Sequence, residues 1–196
     1  MSLANNYGDF KREIELIIKQ NPSEFELYSI VASVIREREN TKKLSIRDVS
    51  KLNQEPNHQN QKDRMYSFGE DKYGSLDFLV MGKEYRYSER NISSILGSVE
   101  IKALYCDLDE EITKKIQFVE ALKAFGKLLY TNGLEWRFYK YDPVKHQEEL
   151  VWSEILGTYH FSGQKDKISD SDKVDWANID KWYSLLKKLD KINWID

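Results

Sequence analysis

In Ser98-Val99-Glu100-Ile101-Lys102-Ala103-Leu104-Tyr105, apolar and charged residues alternate with a period of two. Successive side chains of a strand leave opposite faces of a sheet, so Val99, Ile101 and Ala103 share one face and Glu100 and Lys102 the other. A carboxylate and an ammonium inside an apolar strand are costly unless they pair or bind an ion. A second short apolar run, Ser75-Leu76-Asp77-Phe78-Leu79-Val80, follows Gly74 and also suits a strand. It holds Asp77 in the same awkward setting.

The flanking segments switch to helical spacing. Phe10, Ile14, Ile17 and Ile18 predict a helix over Asp9–Lys19, ended by Asn21-Pro22. Ser23 reads as the N-cap of a second helix, with Glu26 completing a capping box. Ile46, Val49 and Leu52 predict a short helix over Leu44–Leu52, and Asn53–Asp63 reads as a polar loop. Gly82-Lys83 is a turn signal, and Glu84–Glu89 a returning strand. Asp109–Phe125 is an amphipathic helix that Gly126 ends. Asn132-Gly133 between Leu128–Tyr130 and Leu134–Tyr141 signals a hairpin. Leu150–Leu156 reads as a strand and Gly163–Asp175 as a charged loop. A last helix is expected over Asn178–Leu189. With no internal repeat, this order gives one α/β domain over residues 1–196, a mixed central sheet flanked by helices.

Composition narrows the function classes. A chain of 196 residues can bury a substantial core. Its net charge of -3 supplies no global basic field for nucleic acid, so phosphate contacts would have to come from local patches. Cys106 is the single cysteine, which excludes an internal disulfide and a cysteine zinc cluster. A reducing, cytoplasmic setting is expected, with no membrane span and no signal peptide.

Asp77 and Glu100 offer two carboxylates if their strands lie side by side, and the backbone carbonyl of Ile101 offers a third oxygen. Hard divalent cations prefer such ligands, and a cation held there would activate water and stabilise the charge of a phosphodiester under attack. Lys102, on the same face as Glu100, can orient the water or stabilise that charge. An E-x-K pair alone is common on the solvated face of any strand. The joint pattern of Asp-bearing strand, E-x-K strand and following helix is more specific.

The Asp77 run with Val99-Glu100-Ile101-Lys102-Ala103 resembles the PD-(D/E)xK nuclease core. Leu129-Tyr130-Thr131-Asn132-Gly133-Leu134-Glu135-Trp136-Arg137-Phe138-Tyr139 is similar to the N-terminal nuclease domain of type I restriction enzyme restriction subunits and their stand-alone relatives. The resemblance covers about residues 23–141, with 142–196 as a C-terminal extension. It implies a restriction-endonuclease-like fold, magnesium or manganese as cofactor and DNA as substrate. It also implies a site glutamate on the first core helix, for which Glu24 and Glu26 are candidates. Glu24 is preferred because it lines up with Leu27, Val31 and Ile35. Gln117 resembles a family glutamine reaching the site from the next helix. The chain departs from the family in having no proline before Asp77 and a longish interval from Asp77 to Glu100. No G-x-x-x-x-G-K-[ST] loop is present, so the expectation is a free-standing domain, a restriction or defence component, and not a translocating subunit.

His58, His146 and His160 lack metal-type spacing. Lys42, Lys43, Arg47, Lys51, Lys62 and Arg64, with Lys83, Arg86 and Arg90, form a basic stretch suited to phosphates. Tyr85 and Tyr87 suit stacking on bases of a single strand. Trp176, Trp182 and Trp194 read as a packing cluster under the last helix or a partner surface. The rival reading is the same fold without catalysis, binding nucleic acid, a protein partner or a second copy.

Overall fold

The alternation around Glu100 is realised in a six-stranded sheet. The computed structural model describes residues 6–50, 76–86, 94–113, 116–160 and 172–195. Helices α1 (Tyr7–Gln20) and α2 (Glu24–Arg36) come first, then a 3-10 turn (Glu39–Thr41) and strands β1 (Leu44–Asp48), β2 (Phe78–Gly82) and β3 (Ile95–Ile101). Helices α3 (Leu108–Thr113) and α4 (Ile116–Phe125) lead to β4 (Lys127–Thr131), β5 (Glu135–Asp142) and β6 (Gln147–Ile155). Strands β7 (Gly157–His160) and β8 (Lys173–Trp176) form a separate antiparallel pair, and α5 (Ile179–Asp190) follows. The large sheet runs β1-β2-β3-β4-β5-β6. Only β3 and β4 are parallel, and α3 and α4 lie in their crossover. The chain is therefore α/β with a mixed sheet, as its sequence predicts.

Strands β2 to β5 feed cores on both faces of the sheet. Phe78, Val80, Val99, Ile101, Leu129, Trp136 and Phe138 face α1, α2 and α5. Leu79 and Met81 pack against Ala121 and Phe125 of α4, and Leu128, Tyr130 and Tyr139 against Phe118 and Leu122 of the same helix. The sheet is thus covered on both sides, which explains the near-continuous burial of β2, β3 and β4. No helix among the described residues is long and apolar enough to cross a membrane.

Several local expectations are corrected. Leu44–Asp48 is a strand, not a helix. Leu44 and Ile46 are buried while Ser45 is half-buried and Arg47 exposed, a period of two set by antiparallel pairing with β2. Lys83 and Glu84 turn, but Tyr85 and Arg86 do not return as a strand, because β1 and β3 already occupy both sides of β2. The helix expected over Asp109–Phe125 is described as α3 and α4. Within the expected Gly163–Asp175 loop, Lys173–Asp175 belong to β8, whose half-buried Val174 and Trp176 alternate with exposed Lys173 and Asp175. Ser23 does cap α2, its Oγ accepting from the Phe25 N–H. Glu26 does not complete the box; its carboxylate accepts from the Asn21 side chain. The Asn53–Asp63 loop and Tyr87 lie outside the described residues.

Part of the segment after residue 141 belongs to the main core. Trp182, Leu185, Leu189, Ile192 and Trp194 are buried in the cluster that holds α1 and α2. Glu154 of β6, 3% exposed, is held by Lys181 and Lys188 of α5. Trp194 lies so close over β3 that a Cβ at Gly97 would sit 2.6 Å from its ring.

Candidate active site

Asp77 stands one residue before β2, at the end of the ladder where Phe78 pairs with Val99. One step further along that antiparallel ladder puts Asp77 beside Glu100. Its Oδ2 accepts from the Ile101 N–H at 2.6 Å, and its Oδ1 accepts from the Tyr28 hydroxyl of α2. The Lys102 ammonium donates to Glu100 Oε1. The Lys102 backbone N–H donates to the Thr131 carbonyl at 2.8 Å, which locks the end of β3 to the end of β4. The group lies at the carboxyl ends of the two parallel strands, where open α/β sheets characteristically bind ligands.

Asp77, Glu100 and Lys102 are 5%, 8% and 5% exposed. Such residues are almost never this buried unless paired, and here Glu100 and Lys102 neutralise one another. Asp77 has hydrogen bonds but, among the described residues, no ion pair with an ammonium. Burial, and then the charge of Glu100, push its carboxyl up to about 7, while the Tyr28 and Ile101 donors and the Lys102 charge pull the other way. Burial and the Asp77 charge raise the Tyr28 hydroxyl well above its ordinary range, so it remains a donor.

The hairpin after β4 builds the neighbouring wall. Asn132 Oδ1 accepts from the N–H groups of Leu134 and Glu135, and Asn132 Nδ2 donates to the Cys106 carbonyl. Gly133 takes φ +86°, and a Cβ there would meet Leu27 and Ile14. The Thr-Asn-Gly segment thus ties the loop after β3 to the helical layer. Across the sheet, Glu100 pairs with Tyr130 and Tyr130 with Arg137, so all three share one face. The Lys102 ammonium lies 6.0 Å from the centre of the Tyr130 ring. Arg137, 8% exposed, is held by Asp109 and Glu135.

The predicted site residues therefore divide. Asp77, Glu100, Ile101 and Lys102 come together; the Ile101 contact with Asp77 is made by its N–H. Glu24 joins them through Tyr28, whose hydroxyl lies 3.4 Å from Glu24 Oε1, whereas Glu26 is exposed and turned to Asn21. Gln117 lies on the first turn of α4, and its side chain is outside the described residues. His58 is also outside them; His146 is exposed in a turn and His160 pairs with Asp175. The residues that sequence reasoning missed are Tyr28, Tyr130 and Arg137. Tyr28 stands one helical turn after Glu24, and Arg137 sits inside the Thr-Asn-Gly-x-Glu-Trp-Arg segment, so a signal existed for both.

Among the described residues, no three His, Cys, Asp or Glu side chains form a metal-binding group. The donor set is the carboxylate pair Asp77 and Glu100. Two carboxylates suit magnesium, which keeps several of its waters and seldom uses an all-protein cage. The raised Asp77 carboxyl has the chemistry of such a site, since a cation there would relieve the repulsion from Glu100. No family model matches the chain, and neither a curated protein nor a solved structure shows significant similarity to it.

Proposed function

We propose that this chain is a PD-(D/E)xK-type, restriction-endonuclease-like domain that hydrolyses DNA phosphodiester bonds with magnesium or manganese, in a cytoplasmic restriction or defence role. The observation that carries this reading is the meeting of Asp77, Glu100 and Lys102 at one buried corner of the sheet. The order of Asp-bearing segment, E-x-K strand, helical crossover and Thr-Asn-Gly hairpin supports it.

In this reading Asp77, Glu100 and the Ile101 carbonyl hold the cation. When bound, it supplies Lewis-acid charge and lowers the pKa of a coordinated water. Lys102 leaves Glu100 and directs its ammonium at the attacking water or the phosphate oxygens. Tyr28 and Glu24 orient Asp77 from α2, and Gln117 completes the site from α4. Removing one preorganised electrostatic group of this kind typically lowers kcat by about 100- to 1,000-fold.

The test is cleavage of supercoiled and single-stranded DNA with magnesium or manganese, comparing the wild type with Asp77→Ala and Lys102→Ala, each checked for folding by circular dichroism. The expected outcome is cleavage by the wild type and loss on the order of 100-fold or more in both variants. Cleavage that survives both substitutions would sink the assigned site.

A second reading has its own support. Asp77 is satisfied by Tyr28 and Ile101, and Glu100 Oε1 is held by Lys102, without an ion. The same corner can then be a structural lock in a non-catalytic module for nucleic acid, a protein partner or a second copy. Absence of cleavage with either metal, together with tight binding to a protein, is its expected signature.

A further inference from the structure

The basic stretch read in the sequence is partly gathered into one cleft beside β1, the edge strand of the sheet among the described residues. Its volume is about 570 Å³, and Arg36, Thr41, Lys42, Ser45, Arg47 and Lys83 supply its polar lining; among the described residues no carboxylate lines it. Arg36 is anchored by donating to the Ile46 carbonyl at 3.0 Å, which holds the end of α2 against β1. Arg47 and Lys83 are exposed and have no carboxylate partner among the described residues. Four cations around one cavity repel each other, and an anion within it lowers that cost.

The cleft is placed relative to the proposed active site by two independent rulers. Strand β1 runs from Leu44 in the cleft to Asp48, and the next residue, Val49, donates its N–H to the Asp77 carbonyl. Five strand steps, Leu44 to Val49, cover about 17 Å. Helix α2 links the same two places, with Tyr28 on the Asp77 carboxylate and Arg36 in the cleft. Eight helical steps cover about 12 Å. Arg47 pairs with Leu79, two residues from Asp77.

We propose that this cleft binds the phosphate backbone of the DNA whose scissile bond lies at Asp77 and Glu100. The proposal rests on the nuclease reading for the second end of that path. Arg47 and Lys83 make the phosphate contacts, and Arg36 fixes the wall between them.

The test is fluorescence anisotropy of the full chain with a labelled short duplex in chelator, so that binding is read without cleavage. Arg47→Ala/Lys83→Ala is compared with wild type and with Lys187→Ala/Lys191→Ala, which removes two exposed lysines at the far end of α5. The expected result is a loss of affinity on the order of tenfold in the cleft variant only, with the slope of log K against log salt reduced by about two. Unchanged affinity and slope, equal loss in the control, or no binding by wild type would overturn the proposal. So would a cleft that binds inorganic triphosphate while DNA affinity is insensitive to the substitutions. If DNA binding falls as expected but wild type cleaves nothing with magnesium or manganese, the cleft stands and the nuclease reading fails. If wild type cleaves and the cleft variant binds like wild type, the reverse holds.

Discussion

A carboxyl that is buried beside a second carboxylate keeps its proton to a higher pH than one in water, and Asp77 meets both conditions. Its folded-state value of about 7 lies above the usual aspartate range near 3.9. The native state therefore holds this proton more tightly than the unfolded chain does. That contribution to stability is fully present below about pH 4 and disappears as pH rises through about 7. The Asp77→Asn amide keeps the shape and carries no charge to desolvate. In chelator, its melting temperature relative to wild type is expected to climb between pH 5 and pH 8, by about 2–4 °C per kcal/mol of relief. Thermal melts followed by circular dichroism check this, and a difference that is flat with pH would refute it. Lys102→Met makes the opposite test, because it strands a buried Glu100 charge and is expected to cost about 3–5 kcal/mol. Adding Glu100→Gln to Lys102→Met should recover much of that loss in denaturant titrations; two losses that simply add would show that the pair is not coupled. The sequence displays this pair because alternation places positions two apart on one face. It does not display Tyr28, whose contact with Asp77 joins residues 49 apart and is made only when α2 packs on the sheet.

At the level of elements, the hairpin between β4 and β5 shows how a local signal acquires a distant purpose. Asn132-Gly133 marks a turn in any sequence, but here the Asn132 side chain closes the turn with two accepted N–H groups and reaches Cys106 with its own donor. Asn132→Ala leaves those groups unmatched and is expected to cost about 1–3 kcal/mol. Gly133→Ala should cost as much or more, because its positive φ disfavours a side chain and the new Cβ would lie 3.2 Å from Leu27. Urea titrations of both variants test this, and an unchanged midpoint for Gly133→Ala would contradict the geometry. Strands β4 and β5 were legible because their apolar residues continue on both sides of the turn. Strand β1 was not, because Ile46, Val49 and Leu52 recur at helical spacing while the alternation of a five-residue strand shows only in Leu44 and Ile46, and pairing with β2 decides. Strand β8 was hidden by its polar composition for the same reason: its partner β7 fixes it, while Lys173 and Asp175 look like loop residues.

For the whole molecule, the decisive relation is between the first helix and the last. The Tyr7 hydroxyl donates to the Ala177 carbonyl at 2.9 Å, its ring stacks on Trp182 at 5.7 Å, and Phe10 meets the same indole at 4.7 Å. Asn40 donates to the carbonyls of Leu189 and Ile192, so the connection after α2 is stapled to the end of α5. A family resemblance confined to about residues 23–141 cannot display any of this, since the apolar stripe of a terminal helix does not name the surface that it covers. Trp182, Leu185, Leu189, Ile192 and Trp194 are each at most 4% exposed. Burying a large apolar side chain contributes about 1.5–3 kcal/mol, so the five together contribute on the order of 10 kcal/mol, as much as the whole net stability of an ordinary domain. A chain truncated after Tyr141 would also lose β6, the hydrogen-bonded neighbour of β5, and expose Trp136 and Phe138 of the same core. Such a fragment is expected to show no cooperative melt and no near-ultraviolet signal from packed aromatics. A fragment of residues 1–141 that melts cooperatively would show instead that α5 is an appendage, and that the core on which Asp77, Glu100 and Lys102 are set is complete without it.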